Sequence, residues 1–400
     1  MKVLMNAVSA KLGGAATYVR NLATSLQALA QEEDSFLFVV PQERAREMPA
    51  DGGRVRVIES TAAGGSYARR WWWEQVTLRR LVRRERPDVL FSSANFAMLA
   101  SPCPQVLLVR IPIYFSREYL GQVLPGKSPA FRLETALRRW LVCRSVSSAD
   151  CVVTPTAAML EDLARFVHIP DGKARVIPYG VPRDRLLLEP SRPAQIGPGR
   201  PLRVLWVSHY ADHKDLATLL RAVRLLRRRG EFPIELRLTL EPPGSAGHPG
   251  QHTAMGAAEQ GLLLGLADSA RCLGVLSYEQ IWQAYREADV FVFPSLCESF
   301  GHPLAEAMAA GLPILASGIT AHREICGDAA EYFPVGNADV LAQHLSALAA
   351  SPALRAELAR RGAQRVREFL WETHVAGLLA LLREFAPARP DRLTMAAGAA

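Results

Sequence analysis

The hydrophobic positions of this chain alternate between short apolar runs and longer stretches with helical spacing. In the first half, apolar runs lie at 36–40 and 106–109 and are bounded by charged residues, proline or serine. Tyr18, Leu22 and Leu26 follow one another at intervals of four, which is the spacing of one helix face. Buried strands between amphipathic helices are typical of parallel sheets. The pattern therefore predicts an α/β fold.

The opening of the chain predicts a strand, a glycine-containing loop and a helix. Lys2–Val8 is the strand, 9–15 is the loop with Gly13 and Gly14, and the helix begins at about Thr17. This order is typical of a Rossmann-like unit. The apolar run at the start is too short for a signal peptide.

Prolines and glycines concentrate between residues 182 and 201, and the alternation restarts afterwards with an apolar strand at Arg203–Val207. Such a composition favours an interdomain linker. We expect a first Rossmann-like domain at 1–185 that the helix at 374–386 completes, a linker at 186–200, a second domain at 201–373 and a flexible tail at 387–400.

Composition limits the possible classes of protein. No run of about 18 apolar residues is free of charges, so we expect no membrane span. The six cysteines form no C-x-x-C pair, which favours reduced thiols in a cytoplasmic protein. The formal net charge is +8, which suits nucleic acid, anionic lipid or phosphorylated substrates without choosing among them.

Residues 291–306 carry the strongest chemical signal. A buried strand ends at Pro294, a loop follows, and a helix begins near Pro303, a position that favours proline. The free N–H groups of a helix start suit an anion such as diphosphate. Glu306 lies in the first turn, where its carboxylate can accept hydrogen bonds from ribose hydroxyls, and Glu298 lies in the loop. Taken singly, Glu306 could serve the helix dipole alone, and Glu298 could be a solvated loop charge.

Glu298-x7-Glu306, followed by Ala-Met-Ala-Ala-Gly-Leu-Pro-Ile at 307–314, closely resembles the signature of the family 4 retaining glycosyltransferases. Further segments resemble the family in the same order along the chain, at 154–156, 176–181, 273–274, 285–289, 324–330 and 368–372, with weaker matches at Gly13-Gly14 and 86–89. The resemblance implies the GT-B fold, in which two Rossmann-like, doubly wound parallel-sheet domains face each other across a cleft.

The resemblance also implies roles for individual residues of the donor site. Glu306 would bind the ribose, Glu298 would lie beside the donor sugar, and Lys214 would neutralise the diphosphate. The remaining expected donor contacts are Gly13 and Gly14 from the first domain, the backbone of Phe300, Gly301 and His302 at the phosphate and sugar, and Val275 and Leu276 at the base.

The sequence departs from the family pattern at two positions. His209 stands where an arginine usually precedes the lysine by five residues, and Arg110 stands where a histidine often follows a first-domain strand. We include His209 among the expected donor contacts, as a weaker and titratable clamp.

The implied activity is transfer of a sugar, with retention, from a nucleotide diphosphate sugar to a carbohydrate or lipid-linked acceptor. Lys214 and Glu298 are the expected catalytic residues, with no protein base, metal ion or other cofactor. Synthesis of bacterial cell-surface polysaccharide or glycolipid is the expected setting. The alternatives are a non-catalytic sugar-nucleotide-binding partner of another transferase and a sugar-nucleotide epimerase on the same architecture.

Two first-half segments, at 69–86 and 138–140, are rich in arginine and tryptophan. One hypothesis is docking on an anionic membrane at the inner face of the cytoplasmic membrane. The alternative is an amphipathic helix with solvated arginines and tryptophans in the core. We expect no nucleic-acid binding, because no recognised module accompanies the charge.

Overall fold

The computed structural model describes residues 1–10, 13–49, 53–61, 67–187, 194–242 and 255–387. Its first half contains a seven-stranded parallel sheet in the order β3-β2-β1-β4-β5-β6-β7. The strands are β1 (Lys2–Asn6), β2 (Ser35–Pro41), β3 (Val55–Ser60), β4 (Val89–Ser92), β5 (Gln105–Leu108), β6 (Cys151–Thr154) and β7 (Ala174–Val176). Most of their residues are buried, because helices cover both faces of such a sheet.

The first-half helices are α1 (Gly13–Leu29), α2 (Gln42–Ala45), α3 (Tyr67–Glu85), α4 (Pro129–Ser148) and α5 (Ala157–Ala164). Local sequence explains where two of them begin. The Ser128 hydroxyl accepts a hydrogen bond from the N–H of Phe131, and Pro129 follows at the first helical position. Thr156 caps α5 in the same way.

The second half repeats this architecture with six parallel strands in the order β10-β9-β8-β11-β12-β13. The strands are β8 (Leu202–Trp206), β9 (Ile234–Leu238), β10 (Ala270–Cys272), β11 (Val290–Phe293), β12 (Ile314–Ser317) and β13 (Ala330–Phe333). The helices are α6 (Leu216–Arg229), α7 (Ala257–Leu264), α8 (Tyr278–Glu287), α9 (His302–Ala309), α10 (Thr320–Cys326), α11 (Ala338–Ala350) and α12 (Pro352–Arg365). This is the doubly wound order of a Rossmann sheet, whose ligands bind at the carboxyl ends of the strands.

The last helix, α13 (Trp371–Phe385), packs on the first half of the molecule. The Trp371 indole donates to the Ser25 hydroxyl at 2.7 Å, and Arg383 donates to Asp34 at 2.8 Å. Just before this helix the chain passes against Gly180, where an added Cβ would lie 2.2 Å from the carbonyl carbon of Leu370. Glycine is therefore required at 180 for the chain to return to the first half.

The predicted fold class is confirmed, and two local predictions are wrong. Helix α1 begins at Gly13 and not near Thr17, so Gly13 and Gly14 lie in its first turn and not in a loop. First-turn N–H groups have no intrahelical partner, which makes this position tolerant of glycine. Strand β1 ends at Asn6 and not at Val8. Parts of the expected linker and of the glycine-rich segment after β9, and nearly all of the expected tail, lie outside the described residues.

Candidate active site

Helix α9 begins at the carboxyl end of β11, where a glycine sets the direction of the chain. Gly301 has φ +83°, and a Cβ there would lie 3.1 Å from Leu304 Cδ1. A side chain would be strained in both respects. No side chain caps the helix, so its first N–H groups and the positive end of its dipole are available to an anion.

Lys214 and Glu298 form a buried ion pair beside this helix. Lys214 ends a short 3-10 turn at Asp212–Lys214, and its Nζ lies 2.5 Å from Glu298 Oε1. Their side chains are 10% and 11% exposed. Burial alone would raise the pKa of Glu298, but the ammonium of Lys214 brings it below its usual value. The pair therefore places a fixed positive charge and an ionised carboxylate in one protected site.

Glu306 is held by a tyrosine that the sequence analysis did not assign to the site. The hydroxyl of Tyr285, a buried residue of α8, donates to Glu306 Oε2 at 2.9 Å. Burial raises the pKa of Glu306 to about 7, although this hydrogen bond favours the ionised form. One carboxylate oxygen is thus oriented by the protein, and the other has no hydrogen-bond partner in the described part of the chain.

His302, the first residue of α9, stacks on Tyr179 from the first half. The ring centroids are 4.8 Å apart and the planes are 8° from parallel. Burial lowers the pKa of His302 to about 4, and the nearby charge of Arg110 acts in the same direction. The imidazole is therefore neutral at physiological pH, and it joins the two halves at the site.

Arg110 lies in this same cluster, at the position where the family often has histidine. Asn95 Oδ1 accepts hydrogen bonds from the N–H groups of Arg110 at 2.7 Å and Ile111 at 3.1 Å, which fixes the backbone there. The Arg110 guanidinium lies 5.6 Å from the centroid of the Tyr18 ring. A permanent positive charge from the first half consequently faces the amino end of α9.

A buried histidine supports the cluster from α13. His374 Nδ1 lies 2.9 Å from the carbonyl oxygen of Pro178, and its Nε2 lies 3.1 Å from the Tyr18 hydroxyl. Because a carbonyl only accepts, Nδ1 carries the proton and Nε2 accepts from Tyr18. Burial lowers the pKa of His374 to about 4, so the ring remains neutral.

Of the other expected donor contacts, Phe300 lies within this arrangement and the rest lie at its margins. His209 is exposed, and its charge acts on His213, the neighbour of Lys214. Phe300 is fully buried and packs edge-on against Tyr179. Gly13 and Gly14 begin α1, and an added Cβ at Gly14 would meet no atom within 4 Å.

Val275 and Leu276 follow β10, the former 57% exposed and the latter packed against the core. Contacts and charges among the described residues connect Lys214, Glu298 and His302, because the first two form an ion pair and both of their charges act on His302. They do not join Gly13, Gly14, Val275 or Leu276 to that group.

A polar cavity of about 220 Å³ lies between the halves beside Glu298. Its lining includes residues of both halves, among them Ser116, Arg117, Glu118, Asp162, Arg165, Cys297, Glu298 and Thr320. Hydrogen bonds fix the halves next to it. The Thr156 hydroxyl donates to the carbonyl of Ser299 at 2.8 Å, and the Glu324 carboxylate accepts from the N–H groups of Ala157 and Ala158. A small hydroxylated molecule in this cavity would touch Glu298.

The site residues that sequence reasoning missed are the aromatic supports Tyr18, Tyr179 and Tyr285 and the buried His374. Tyr285 lay in a segment noted for its resemblance to the family, but nothing in its spacing indicated that it would bond to Glu306. Only the packing of α8 against α9 reveals that contact. Within the described ranges, no helix has the length and apolar character needed to cross a bilayer.

Two family models match the chain, one in each half. The model described as Glycosyltransferase Family 4 matches residues 12–185, and the model described as Glycosyl transferases group 1 matches residues 190–365. A D-inositol 3-phosphate glycosyltransferase from Streptomyces avermitilis is 34% identical over 236 residues, which are 57% of this chain and 50% of the relative. The chain spans about half the length of the curated relatives it matches first.

Solved structures share the fold over nearly the whole chain. Sucrose-phosphate synthase from Thermosynechococcus elongatus superimposes with a TM-score of 0.73 at 19% identity, covering 96% of this chain and 98% of that one. The Anabaena protein HepE in complex with UDP-glucose gives a TM-score of 0.67 at 16% identity, covering 96% and 100%. The GT-B architecture expected from the sequence is thereby confirmed.

Proposed function

Because the chain belongs to the family 4, group 1 glycosyltransferases, we propose that it moves a sugar from a nucleotide diphosphate sugar to an acceptor hydroxyl with retention of configuration. The observation that carries this proposal is the buried Lys214–Glu298 pair beside the uncapped start of α9. An anion site and an ionised carboxylate in one protected position suit a charged leaving group attached to a sugar.

The donor would lie along the carboxyl edge of the second sheet. Glu306 would accept hydrogen bonds from the ribose hydroxyls, with Tyr285 holding its other oxygen. Lys214, His209 and the N–H groups of α9 would face the diphosphate. Gly13 and Gly14 would approach it from the first half, and Val275 and Leu276 would border the base. The UDP-glucose complex of HepE, which shares this fold, supports a donor of this class.

In the reaction, the bond between the anomeric carbon and the diphosphate oxygen breaks, and the acceptor oxygen attacks from the face that the diphosphate leaves. The acceptor proton passes to the departing phosphate, so the step needs no protein base. Lys214 and α9 would stabilise the negative charge that develops on the leaving group, and Glu298 would orient the sugar. No metal ion takes part in this scheme.

The acceptor would reach the donor sugar through the polar cavity beside Glu298, since residues of both halves line it. Carbohydrate hydroxyls suit its mixture of carboxylate, guanidinium and hydroxyl groups. We place the reaction in the synthesis of a bacterial cell-surface polysaccharide or glycolipid, where acceptors are carbohydrate or lipid-linked.

Docking on an anionic membrane forms part of this proposal, and the arrangement of the tryptophans supports it. Trp73 packs on the core, as expected for an amphipathic helix, but Trp72 is 58% exposed and Trp140 on α4 is 57% exposed. Helix α3 carries six arginines and two glutamates. Exposed tryptophans among arginines suit the boundary between headgroups and acyl chains.

Turnover of donor by the purified chain tests the proposal. A screen of thermal stabilisation by UDP, GDP and ADP identifies the nucleotide base of the donor, because a bound ligand raises the melting temperature by mass action. The matching nucleotide sugars are then incubated with simple glycosides, and proton NMR follows the product anomer. Retained configuration and release of nucleoside diphosphate are the expected result. Binding without release of the sugar would instead indicate a non-catalytic partner, and an inverted product would contradict retention.

A further inference from the structure

A second and larger cavity lies in the first half, away from the Lys214–Glu298 pair. Its volume is about 840 Å³, within the range of small-molecule sites, and it lies between α3 and α4. The lining is mainly aromatic and aliphatic, with Trp71, Phe96, Leu99, Leu137, Trp140 and Leu141, and it also contains Arg70, Glu74, Glu134, Arg138 and Arg144. We call this cavity the α3–α4 groove.

Exposed large hydrophobic side chains are concentrated on the two helices that form this groove. Of the ten such side chains that are exposed among the described residues, five belong to α3 and α4, namely Trp72, Phe131, Leu133, Leu137 and Trp140. Leu137 and Trp140 line the groove itself, at the spacing of one helix face. A concentrated apolar surface of this kind marks a binding site.

Three arginines and two glutamates line the groove, and Glu74 and Glu134 pair with Arg70 and Arg138. Helix α4 carries four arginines and one glutamate, and α3 has a similar excess. Arg144 is exposed at the groove and has no acidic partner among the residues that the structure describes. The surroundings therefore suit an apolar molecule that bears an anionic group.

One buried polar group at the groove lacks a full set of partners. Glu74 is 1% exposed; its Oε1 pairs with Arg70 at 3.1 Å and accepts from Asn6. Its Oε2 is buried and has no hydrogen-bond partner in the described part of the chain. Such atoms are rare in folded proteins. Burial raises the pKa of this carboxyl, which favours its neutral form more than in an exposed glutamate and suits an apolar neighbour better than a charged carboxylate would.

A short loop connects the groove to the active site. Arg70 donates to the carbonyl of Ala94 at 3.3 Å and lies 5.5 Å from the centroid of Phe96. Between these residues, Asn95 holds the backbone of Arg110, which faces the amino end of α9. A molecule in the groove is thus separated from the cleft by one loop.

We propose that the α3–α4 groove binds the hydrocarbon chain of a lipid-linked acceptor. Its phosphate would lie against the arginines, Arg144 in particular, and its sugar end would reach past the loop at 94–96 into the cleft. This inference rests on the proposed glycosyl transfer and specifies its acceptor as an anionic lipid. The groove is a bounded cavity between two helices, which suits a single chain better than the surface of a bilayer.

Isothermal titration with dodecyl phosphate, kept below its micelle concentration, tests the groove directly. We expect one chain bound per protein. Leu137→Glu should weaken this binding at least tenfold, because it introduces a charge at an exposed site without disturbing the core. Leu264→Glu is the matched control, since Leu264 is also exposed but lies on α7 in the second half.

Further measurements separate the contribution of the phosphate from that of the hydrocarbon chain, and distinguish failure of the groove from failure of the proposed transfer. Arg144→Gln should weaken the binding of dodecyl phosphate about tenfold and leave the binding of dodecanol unchanged. Inorganic phosphate alone should not bind measurably. The proposal that the groove binds a lipid chain would be overturned if Leu137→Glu and wild type bound dodecyl phosphate equally, or if several chains bound per protein. Binding to anionic vesicles without binding of the soluble chain would also overturn it and leave only surface docking. Binding of nucleoside diphosphate, measured in parallel, reports on the proposed transfer separately, because Leu137→Glu should not change it.

Discussion

The two halves of this molecule hold their candidate functional residues in opposite ways. In the second half, Lys214 is 8% exposed and paired with Glu298, and a buried tyrosine fixes Glu306. In the first half, Trp72, Leu137 and Trp140 are more than half exposed, with arginines around them. We interpret the difference as that between a rigid site for the proposed donor and an open apolar surface for the proposed acceptor. The following predictions test that division.

The largest expected effect is that of Lys214→Ala. The variant should lower turnover of the nucleotide sugar about 10²–10³-fold, because it removes a preorganised charge from the leaving group. It should also cost about 3–5 kcal/mol of stability, since Glu298 would remain buried without its partner. Initial rates and urea unfolding measure the two effects. Lys173→Ala, at a lysine of the first half outside the candidate site, is the control. Equal losses of turnover in the two variants would contradict a special role for Lys214.

The next prediction concerns the pH dependence that Glu306 gives to stability. Burial raises its pKa to about 7 from 4.5, so between these pH values the unfolded state releases a proton that the folded state keeps. The free energy of unfolding should therefore fall as pH rises, by roughly 3 kcal/mol, with the change complete above pH 7. Glu306→Gln should lack this pH-dependent part of the free energy of unfolding. Compared with wild type, it should be progressively more stable from pH 4.5 to 7.5, and a difference independent of pH would contradict the assignment.

Gly14→Ala should separate function from folding. Nothing lies within 4 Å of the added Cβ, and alanine favours a helix over glycine, so stability should rise by up to about 1 kcal/mol. Turnover should nevertheless fall about tenfold if the donor phosphates approach this backbone closely. Gly261→Ala, in α7 and equally open, should give the gain in stability alone. Unchanged turnover in Gly14→Ala would remove the first-half glycines from the donor site.

The smallest effect on the fold is expected for the pair Trp72→Ser and Trp140→Ser. Both side chains are mostly exposed, so each substitution should change the free energy of unfolding by no more than about 0.5 kcal/mol, which is typical of surface changes. Binding to anionic vesicles at low salt should fall about tenfold. Leu264→Ser provides the comparison for an exposed apolar residue in the other half. Vesicle binding that survives the double substitution would contradict a membrane role for this face.

The sequence predicted the strand, loop and helix start at 290–306, because chain-local features define them. Pro303, Gly301 and the strand before them specify how α9 begins, and Glu306 follows from its place in the first turn. Its partner Tyr285 could not be predicted, because that contact depends on how α8 packs against α9. The same limit applies to Tyr179 stacking on His302, since the two residues belong to different halves.

On the surface proposed for the acceptor, the sequence showed arginine and tryptophan but not their arrangement. Trp73 enters the core while its neighbour Trp72 is exposed, and helical geometry alone cannot choose between them without the position of the sheet. The α3–α4 groove forms from segments some sixty residues apart, so no spacing within one segment predicts it. Helix α1 begins four residues earlier than predicted, because Gly13 and Gly14 lie in its first turn and not in a loop.

The most direct test of the donor site is calorimetric binding of nucleoside diphosphates to wild type, Glu306→Ala and Leu137→Glu. If the second half holds the donor, one nucleoside diphosphate binds with a stoichiometry of one. Glu306→Ala then weakens it about 30-fold, as expected for two lost hydrogen bonds, and Leu137→Glu leaves it unchanged. Failure of every nucleoside diphosphate to bind, or equal affinity in Glu306→Ala, would contradict the assignment of this site to a sugar nucleotide.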